Sequence, residues 1–165
     1  MNNELTALDI QKMQEELDYR RLELMPELIE EVKRTRAFGD LSENYEYKAA
    51  KQAQNANKKR IRYLTRMISS AEVIEDCSAE DEVGLFDLVE VYMEEDDETE
   101  TLQVVTTVRC DPRQGRISKE SPMGRQLLGK HIGDRFLVQV NDNYSYYVVV
   151  RSITKQADDG SAPIL

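Results

Sequence analysis

A repeat of apolar and small polar residues between Tyr47 and Ala71 constrains this fold more than any other feature of the sequence. Its members follow one another at steps of three and four residues, at Tyr47, Ala50, Gln54, Asn57, Ile61, Leu64, Ile68 and Ala71. This is the spacing of the a and d positions of a coiled coil, in which one face of a helix packs on a neighbouring helix. The segment therefore predicts one long helix, from about residue 42 to residue 73, that needs a helical partner.

The residues before this segment supply the partner helix. Between about residues 9 and 36, apolar side chains recur at compatible spacing, at Ile10, Met13, Leu17, Leu24, Leu28 and Val32. Because neither helix can bury its stripe alone and few residues join them, we expect them to fold back on each other as an antiparallel hairpin. Pro26 removes a backbone donor in the first helix, which predicts a kink or a break there.

The predicted tip of this hairpin is residues 38–44, with the sequence Phe-Gly-Asp-Leu-Ser-Glu-Asn. Gly39 is placed to end the first helix in a left-handed conformation. Asp40 and Glu43 admit two interpretations, because they can cap the second helix as a variant capping box or ligate a metal ion. Two carboxylates supply too few oxygens for Mg²⁺, which takes about six, so a metal at the tip requires ligands from another molecule.

Charge is distributed unevenly along the chain. The net charge is −10, yet residues 1–70 hold 13 Lys and Arg against 12 Asp and Glu, and residues 71–165 hold 9 against 20. Positive charge is concentrated in residues 34–66, which contain nine basic and three acidic side chains. Such a patch is either a solvated helix face or a surface that binds a phosphate backbone.

After residue 74 the pattern changes to that of a small α+β domain. Residues 75–81 are typical of a linker, and four β-type runs follow, at residues 85–92, 101–108, 135–140 and 144–154. One helix is predicted by Ser121 as its N-cap, Pro122 at its first position and Gly129 at its end. We therefore expect an α+β protein with a coiled-coil hairpin at 1–76, an antiparallel sheet with one helix at 77–155, and a disordered tail at 156–165.

Several classes of protein are disfavoured by what the sequence lacks. It has no apolar run near 18 residues and no signal-peptide layout, which predicts a cytoplasmic protein without membrane contact. Cys77 and Cys110 are expected to be reduced thiols. With one histidine, His131, and neither a Gly-rich phosphate loop nor an evident partner base for a serine, the sequence disfavours a His-based triad, a nucleotide-binding loop and an activated serine nucleophile.

Two stretches resemble the bacterial Gre transcript cleavage factors. Residues 38–51, Phe-Gly-Asp-Leu-Ser-Glu-Asn-Tyr-Glu-Tyr-Lys-Ala-Ala-Lys, are similar to the tip signature of that family. Residues 117–130, with the Gly-Asp pair at 133–134, are similar to its C-terminal domain. The resemblance covers about residues 5–154 and implies an N-terminal antiparallel coiled-coil hairpin and a C-terminal FKBP-like domain.

The resemblance also implies a mechanism. Members bind RNA polymerase through the globular domain and insert the hairpin into the secondary channel, which the 3′ end of backtracked nascent RNA enters. Asp40 and Glu43 would hold a second Mg²⁺ and position a water, with the polymerase supplying the remaining ligands, and Ser42 would support the tip. The ion is then shared with the polymerase active site and none is bound by the free protein, which is not an enzyme by itself.

Contacts with the partners follow from the same resemblance. The side chains expected to contact RNA phosphate or the polymerase are basic: Arg36, Lys51, Lys58, Lys59, Arg60, Arg62 and Arg66. Docking to the polymerase is expected through the start of the helix in the globular domain, at Ser121, Pro122, Met123, Gly124 and Arg125. The broad basic face is more similar to the GreB branch of the family, whereas residues 104–111 depart from the usual family pattern.

Two other functions remain open. A non-cleaving regulator of the same shape would occupy the channel and block substrate entry, although relatives of that kind alter the acidic tip that Asp40 and Glu43 preserve here. A prolyl isomerase or chaperone is suggested by the FKBP-like domain. However, a fold does not confer a function, and no isomerase pocket residues are recognisable in the sequence.

Overall fold

The computed structural model describes residues 3–39 and 44–165, which form two compact units. The first contains Asn3 and residues 9–72, and the second contains residues 4–8 and 73–165. The sequence predicted the domain boundary after residue 76, whereas the structure has it after residue 72. The chain joins the second unit earlier because Ile74 packs against that unit's core and its N–H donates to the Leu5 carbonyl at 2.9 Å.

The first unit is the helical hairpin that the repeat predicts. Its helices are α1 (Ala7–Tyr19), α2 (Met25–Arg36) and α3 (Tyr45–Ser69). Two short strands that pair with each other, β1 (Asn3–Leu5) and β2 (Ala71–Val73), contain the points at which the chain passes from one unit to the other. The predicted seam is confirmed, because Ala50, Gln54, Asn57 and Leu64 of α3 are buried. Helix α3 is shorter than predicted, since it begins at Tyr45 and ends at Ser69.

The predicted interruption of the first helix is present, and its form is a π-helical turn. Arg20–Leu24 form this turn between α1 and α2, and the N–H of Met25 donates to the Arg20 carbonyl five residues earlier. Pro26 follows this turn directly, and the backbone stays in the right-handed helical region at Tyr19, Leu24 and Met25. The proline has no N–H to donate to the preceding turn, so it lies where the α-helical hydrogen-bonding pattern is interrupted, and the arm continues beyond it.

The second unit is built on a five-stranded sheet with the strand order β5-β4-β3-β7-β6. Its strands are β3 (Leu88–Met93), β4 (Glu98–Val105), β5 (Arg116–Ser118), β6 (Arg135–Asn141) and β7 (Tyr144–Thr154). Four of them correspond to the predicted runs. The predicted antiparallel pairing is confirmed for these four strands, and the short β5, which the sequence did not predict, pairs with β4 in parallel. Two 3₁₀ turns, Thr107–Arg109 and Pro112–Gln114, lie between β4 and β5, and after them β5 runs in the same direction as β4.

The predicted helix of this unit is confirmed. Helix α4 (Pro122–Leu127) has Ser121 as its N-cap, whose Oγ accepts from the Gly124 N–H at 3.0 Å. Gly129 follows with φ of +78°, a conformation that glycine adopts without a steric penalty. Met123 and Leu127 of α4 pack into a valine-rich core with residues from the sheet.

The expectation of a disordered tail is wrong. Arg109 is fully buried, and its guanidinium binds the Asp158 carboxylate at 3.0 Å and the Ala162 carbonyl at 3.0 Å. The backbone N–H of Leu165 also donates to the Val108 carbonyl at 2.8 Å. The tail's small and acidic residues are typical of a flexible segment. They are ordered here because they satisfy a buried cation that lies 49 residues away along the chain.

Among the described residues, no helix combines the length and the apolar character needed to cross a membrane.

Candidate functional site: the hairpin end and its basic flank

The three residues predicted to carry the chemistry, Asp40, Ser42 and Glu43, lie outside the described residues. The structure does describe the residues on either side of them. We call Phe38, Gly39, Asn44 and Tyr45 the hairpin end. Gly39 has φ of +105°, so the predicted left-handed stop after the first arm is confirmed.

Asn44 joins the two arms at the hairpin end. Its Oδ1 accepts from the N–H of Tyr47 at 3.0 Å, which makes it the N-cap of α3, and its Nδ2 donates to the carbonyl of Thr35 at 2.6 Å. Thr35 is buried. Of the two interpretations of Asp40 and Glu43, the cap of this helix is not supported, because the described cap, Asn44, lies four residues after Asp40. The start of α3 therefore does not depend on a capping box formed by Asp40 and Glu43.

Two aromatic rings flank the undescribed segment and are open to solvent. Phe38 is 57% exposed and Tyr45 is 81% exposed. Each ring carries a cation over its face, since the Arg34 guanidinium lies 5.3 Å from the Phe38 centroid and the Lys48 ammonium lies 5.4 Å from the Tyr45 centroid. Exposed rings with paired cations are suited to contact nucleotide bases or a protein partner.

A stripe of positive charge follows one side of α3. Its members recur at steps that keep them on one side of a helix, and all are exposed: Lys48, Lys51, Lys58, Arg62 and Arg66. Within the described part of the chain, none of these five side chains forms a salt bridge. We call this set the basic stripe. Its charges are available to a polyanion.

Arg60 has a different role from the one predicted. Its Nε and Nη2 both bind the Glu16 carboxylate at 2.9 Å, and its side chain is about three-quarters buried. The hydrogen bond to Glu16 raises the pKa of Arg60, and the same bond from Arg60 lowers the pKa of Glu16. Arg60 therefore stabilises the hairpin from within. Of the other predicted contacts, Arg36 and Lys59 are exposed.

The predicted docking residues on α4 do not all reach the surface. Met123 belongs to the core, and Gly124 lies so close to the Ser118 carbonyl that an added Cβ would sit 2.1 Å from that oxygen. Ser121 is engaged as the helix cap. Pro122 and Arg125 are exposed, and Arg125 forms a salt bridge of 2.9 Å with Glu120. The part of this motif that is open to a partner is therefore Pro122 and Arg125.

Family sequence models match both units of the protein. A model described as "Transcription elongation factor, N-terminal" matches residues 3–73, and one described as "Transcription elongation factor, GreA/GreB, C-term" matches residues 78–155. The chain belongs to the GreA/GreB family of transcription elongation factors.

The GreA sequences of two bacteria agree with this assignment. The transcription elongation factor GreA of Chelativorans sp. (strain BNC1) is 42% identical over 138 residues, which is 83% of this chain and 87% of the relative. GreA of Bacillus subtilis (strain 168) is 38% identical over 135 residues, or 82% and 86% of the two chains. Among solved structures, the GreA factor homolog 1 (Gfh1) protein of Thermus thermophilus is 25% identical, with a TM-score of 0.44, and the match covers 94% of this chain and 100% of that chain.

The expected similarity to the GreB branch is not confirmed, since both GreA/GreB family relatives described above carry the name GreA. Sequence reasoning also missed three features of the site. It did not assign Asn44 as the cap, did not single out the exposed rings of Phe38 and Tyr45, and counted Arg60 among the surface cations. The identity of Asn44 was a usable signal for the cap, because asparagine is strongly preferred at the N-cap and Asn44 comes shortly before the repeat begins. Nothing local signals that Arg60 meets Glu16.

Proposed function

We propose that this GreA/GreB family member binds bacterial RNA polymerase, inserts its hairpin into the secondary channel and stimulates Mg²⁺-dependent cleavage of the 3′ end of backtracked nascent RNA. Its site of action is then the bacterial cytoplasm. The observation that supports this best is the independent cap of α3. Because Asn44 starts the helix, a capping box does not account for two carboxylates at positions 40 and 43.

The carboxylates of Asp40 and Glu43 are suited to share a metal ion. Carboxylate oxygens are the ligands that Mg²⁺ prefers, and a pair of them leaves most of its roughly six positions for polymerase groups and water. When bound, the ion would neutralise charge that develops on the phosphate and make a coordinated water more acidic. The two side chains would hold the ion and orient that water, and Ser42 would support them with a hydroxyl that can both donate and accept.

The basic stripe is placed to hold the RNA backbone. Each of its five members carries a charge that is not taken up by a salt bridge in the described part of the chain, and together they extend along the helix that leads to the hairpin end. Polyanion binding of this kind releases counterions, so it weakens as salt concentration rises. Arg36 and Lys59 add charge at the end of α2 and at the edge of the stripe. Docking to the polymerase would use the exposed Pro122 and Arg125.

The decisive experiment is transcript cleavage in a stalled, backtracked elongation complex. Asp40→Asn and Glu43→Gln should each slow cleavage on the order of 100-fold or more while polymerase binding changes little, because the substitutions replace a charged carboxylate ligand by a neutral amide and keep side-chain volume. Glu46→Gln is the matched control, since it removes an exposed carboxylate from the first turn of α3. Equal losses of binding and cleavage in the Asp40 and Glu43 variants would contradict the proposal.

The same assay separates the alternatives. If the protein is a non-cleaving regulator, the wild type should inhibit nucleotide addition and leave the backtracked RNA intact. RNA incubated with the protein and Mg²⁺ but without polymerase should stay uncut, and cutting under those conditions would identify an autonomous nuclease instead.

A further inference from the structure

The middle of the hairpin contains a buried asparagine that binds the opposite arm twice. Asn57 is 3% exposed and occupies a seam position where a coiled coil ordinarily has an apolar residue. Its Oδ1 accepts from Nη1 of Arg20 at 3.0 Å, and its Nδ2 donates to the backbone carbonyl of Arg20 at 3.2 Å. One side chain thus recognises both the side chain and the main chain of a single residue.

The residue that Asn57 recognises starts the π-helical turn. The Arg20 carbonyl receives the N–H of Met25 and also the amide of Asn57. π-Helical turns are rare and occur mostly as single interruptions within α-helices. The facing asparagine therefore lies opposite the one interruption in the described part of the first arm, and it binds the carbonyl where that interruption begins.

Two more charged groups complete this arrangement. The carboxylate of Glu16 accepts from Arg20 Nε at 2.7 Å and from Arg60 at 2.9 Å through two nitrogens. We call Glu16, Arg20, Asn57 and Arg60 the polar layer. It joins α1, the π turn and α3 by hydrogen bonds whose partners lie 37 and 44 residues apart.

We propose that the polar layer fixes the register of the hairpin, which is the position of one arm relative to the other along the hairpin axis, and that Asn57 is the positioning residue. An apolar seam is satisfied about equally well when one helix slides past the other by a turn, because Leu, Ile and Ala meet similar neighbours. A buried amide that binds one specific carbonyl is satisfied in a single register, and a displaced partner leaves it unpaired. The arrangement sets how far along the arms the hairpin end lies.

Two other asparagines show that one register holds along the unit. Asn44 Nδ2 binds the carbonyl of Thr35 at the hairpin end, and Asn3 Nδ2 binds Ser70 Oγ at 2.6 Å at the opposite end. Both of those contacts are at chain ends or turns, where local movement can break them. Asn57 is central and buried, so it is the contact that opposes sliding of whole helices.

The functional consequence rests on the proposed function. A factor that delivers carboxylates to a partner's active site needs its reacting groups placed to within about 1 Å, since larger errors cost on the order of 100-fold in rate. A slip by one helical turn displaces an arm by about 5.4 Å. Asn57 therefore supports cleavage indirectly, because it keeps the hairpin end in position without itself contacting RNA, metal or polymerase.

The direct test measures register in the full-length protein. Spin labels at Glu15→Cys and Ala49→Cys, both exposed positions that lie at different levels along the hairpin axis, report sliding of the arms in a background with Cys77→Ser and Cys110→Ser. The parent should give one narrow distance distribution. Asn57→Leu should add a second population shifted by about one turn, 5.4 Å, while its melting temperature stays equal or rises. A single unshifted distribution in Asn57→Leu would overturn the proposal.

Gln54→Leu is the matched control. Gln54 is also a buried polar seam residue of α3, at 7% exposed, but its side-chain oxygen accepts from Lys51 of the same helix at 3.3 Å. The Gln54→Leu variant should therefore keep one register and give one distance distribution. If Asn57→Leu fails to fold, the double variant Arg20→Leu/Asn57→Leu removes both side chains of the pair and leaves no unpaired partner of Asn57 in the seam. A second, shifted distance population in this double variant would support the proposal that the polar layer fixes the register, and a single unshifted population would overturn it.

Cleavage assays then separate this inference from the function it rests on. Unlabelled Asn57→Leu should bind polymerase normally and lose cleavage in proportion to its slipped fraction, and Asn57→Gln, which retains both hydrogen-bonding groups, should recover part of the activity. If the wild type shows no cleavage, the proposed function fails while the spin-label result stands. A slipped Asn57→Leu population with full cleavage would overturn the positioning role alone.

Discussion

The hairpin and the globular unit hold their interiors together by different chemistry. Buried positions of the hairpin include Thr35, Gln54 and Asn57, so hydrogen bonds contribute much of the specificity between its arms. The core of the globular unit is dominated by fully buried valines, at Val89, Val91, Val104, Val138 and Val148. Polar contacts between helices select one register at some cost in stability, whereas apolar burial contributes stability with less selectivity. The hairpin therefore has the polar interior expected of a unit that positions its end, and the globular unit has the apolar interior expected of a unit that contributes stability.

The largest expected effect is a cavity in the globular core. Leu127 of α4 is fully buried, so Leu127→Ala should destabilise this unit by about 3 kcal/mol. Hydrogen exchange should show lost protection in β3 and β7 while the amides of α3 keep theirs, because the two units have separate cores. Leu137→Ala, at a position that is 41% exposed, is the control and should change little. Equal loss of protection in α3 would show that the two units unfold together and would remove the basis of the comparison.

An intermediate effect is expected where the globular unit does use a buried charge. Asp158→Asn replaces the carboxylate that binds Arg109 and should cost about 2 kcal/mol, because a hydrogen bond between two charged groups becomes one to a neutral amide. Denaturant unfolding measures this difference. Asp159→Asn is the neighbouring control, since the hydrogen bonds that Asp159 accepts come from Ser161 within the tail. If Asp158→Asn left the free energy of unfolding unchanged, the charge of the Asp158 carboxylate would contribute nothing to holding the tail.

The smallest effect concerns the pH dependence of the hairpin. The hydrogen bond from Arg60 holds the pKa of Glu16 below its ordinary value. A carboxylate with a lowered pKa contributes stability that is fully present above the unfolded pKa, about 4.3, and is lost as pH falls through the folded value. Glu16→Gln should therefore flatten the loss of hairpin stability in acid, and at neutral pH it should cost less than about 1 kcal/mol.

Helical content followed by circular dichroism between pH 7 and pH 2 tests this prediction. Glu27→Gln, which removes an exposed carboxylate of α2, should leave the acid transition of the hairpin unchanged. If Glu16→Gln and Glu27→Gln behaved alike, the acid dependence would come from general surface charge and not from the polar layer.

Local patterns in the sequence predicted more of the fold than of the site. The steps between Tyr47 and Ile68 predicted α3 and its partner, and the Ser121-Pro122 pair predicted α4, because helix periodicity and capping act over a few residues. The parallel pairing of β5 was missed, since a three-residue strand has too little pattern to recognise. The assignment of Arg60 to a surface was wrong for a related reason: its charge is visible in the sequence, but its neighbour Glu16 is not.

The sequence by itself determined the helical hairpin, the position of its end, the placement of basic residues along α3 and the family to which the chain belongs. Only the tertiary structure decided that Asn44 caps α3, that Asn57 binds Arg20, and that Arg109 and Asp158 order the tail. The physical reason is the range of the interactions. Periodicity and caps are set by neighbours within one or two helical turns, whereas each buried polar group is satisfied by a partner that only the folded chain brings near, 37 residues away for Asn57 and 49 for Arg109.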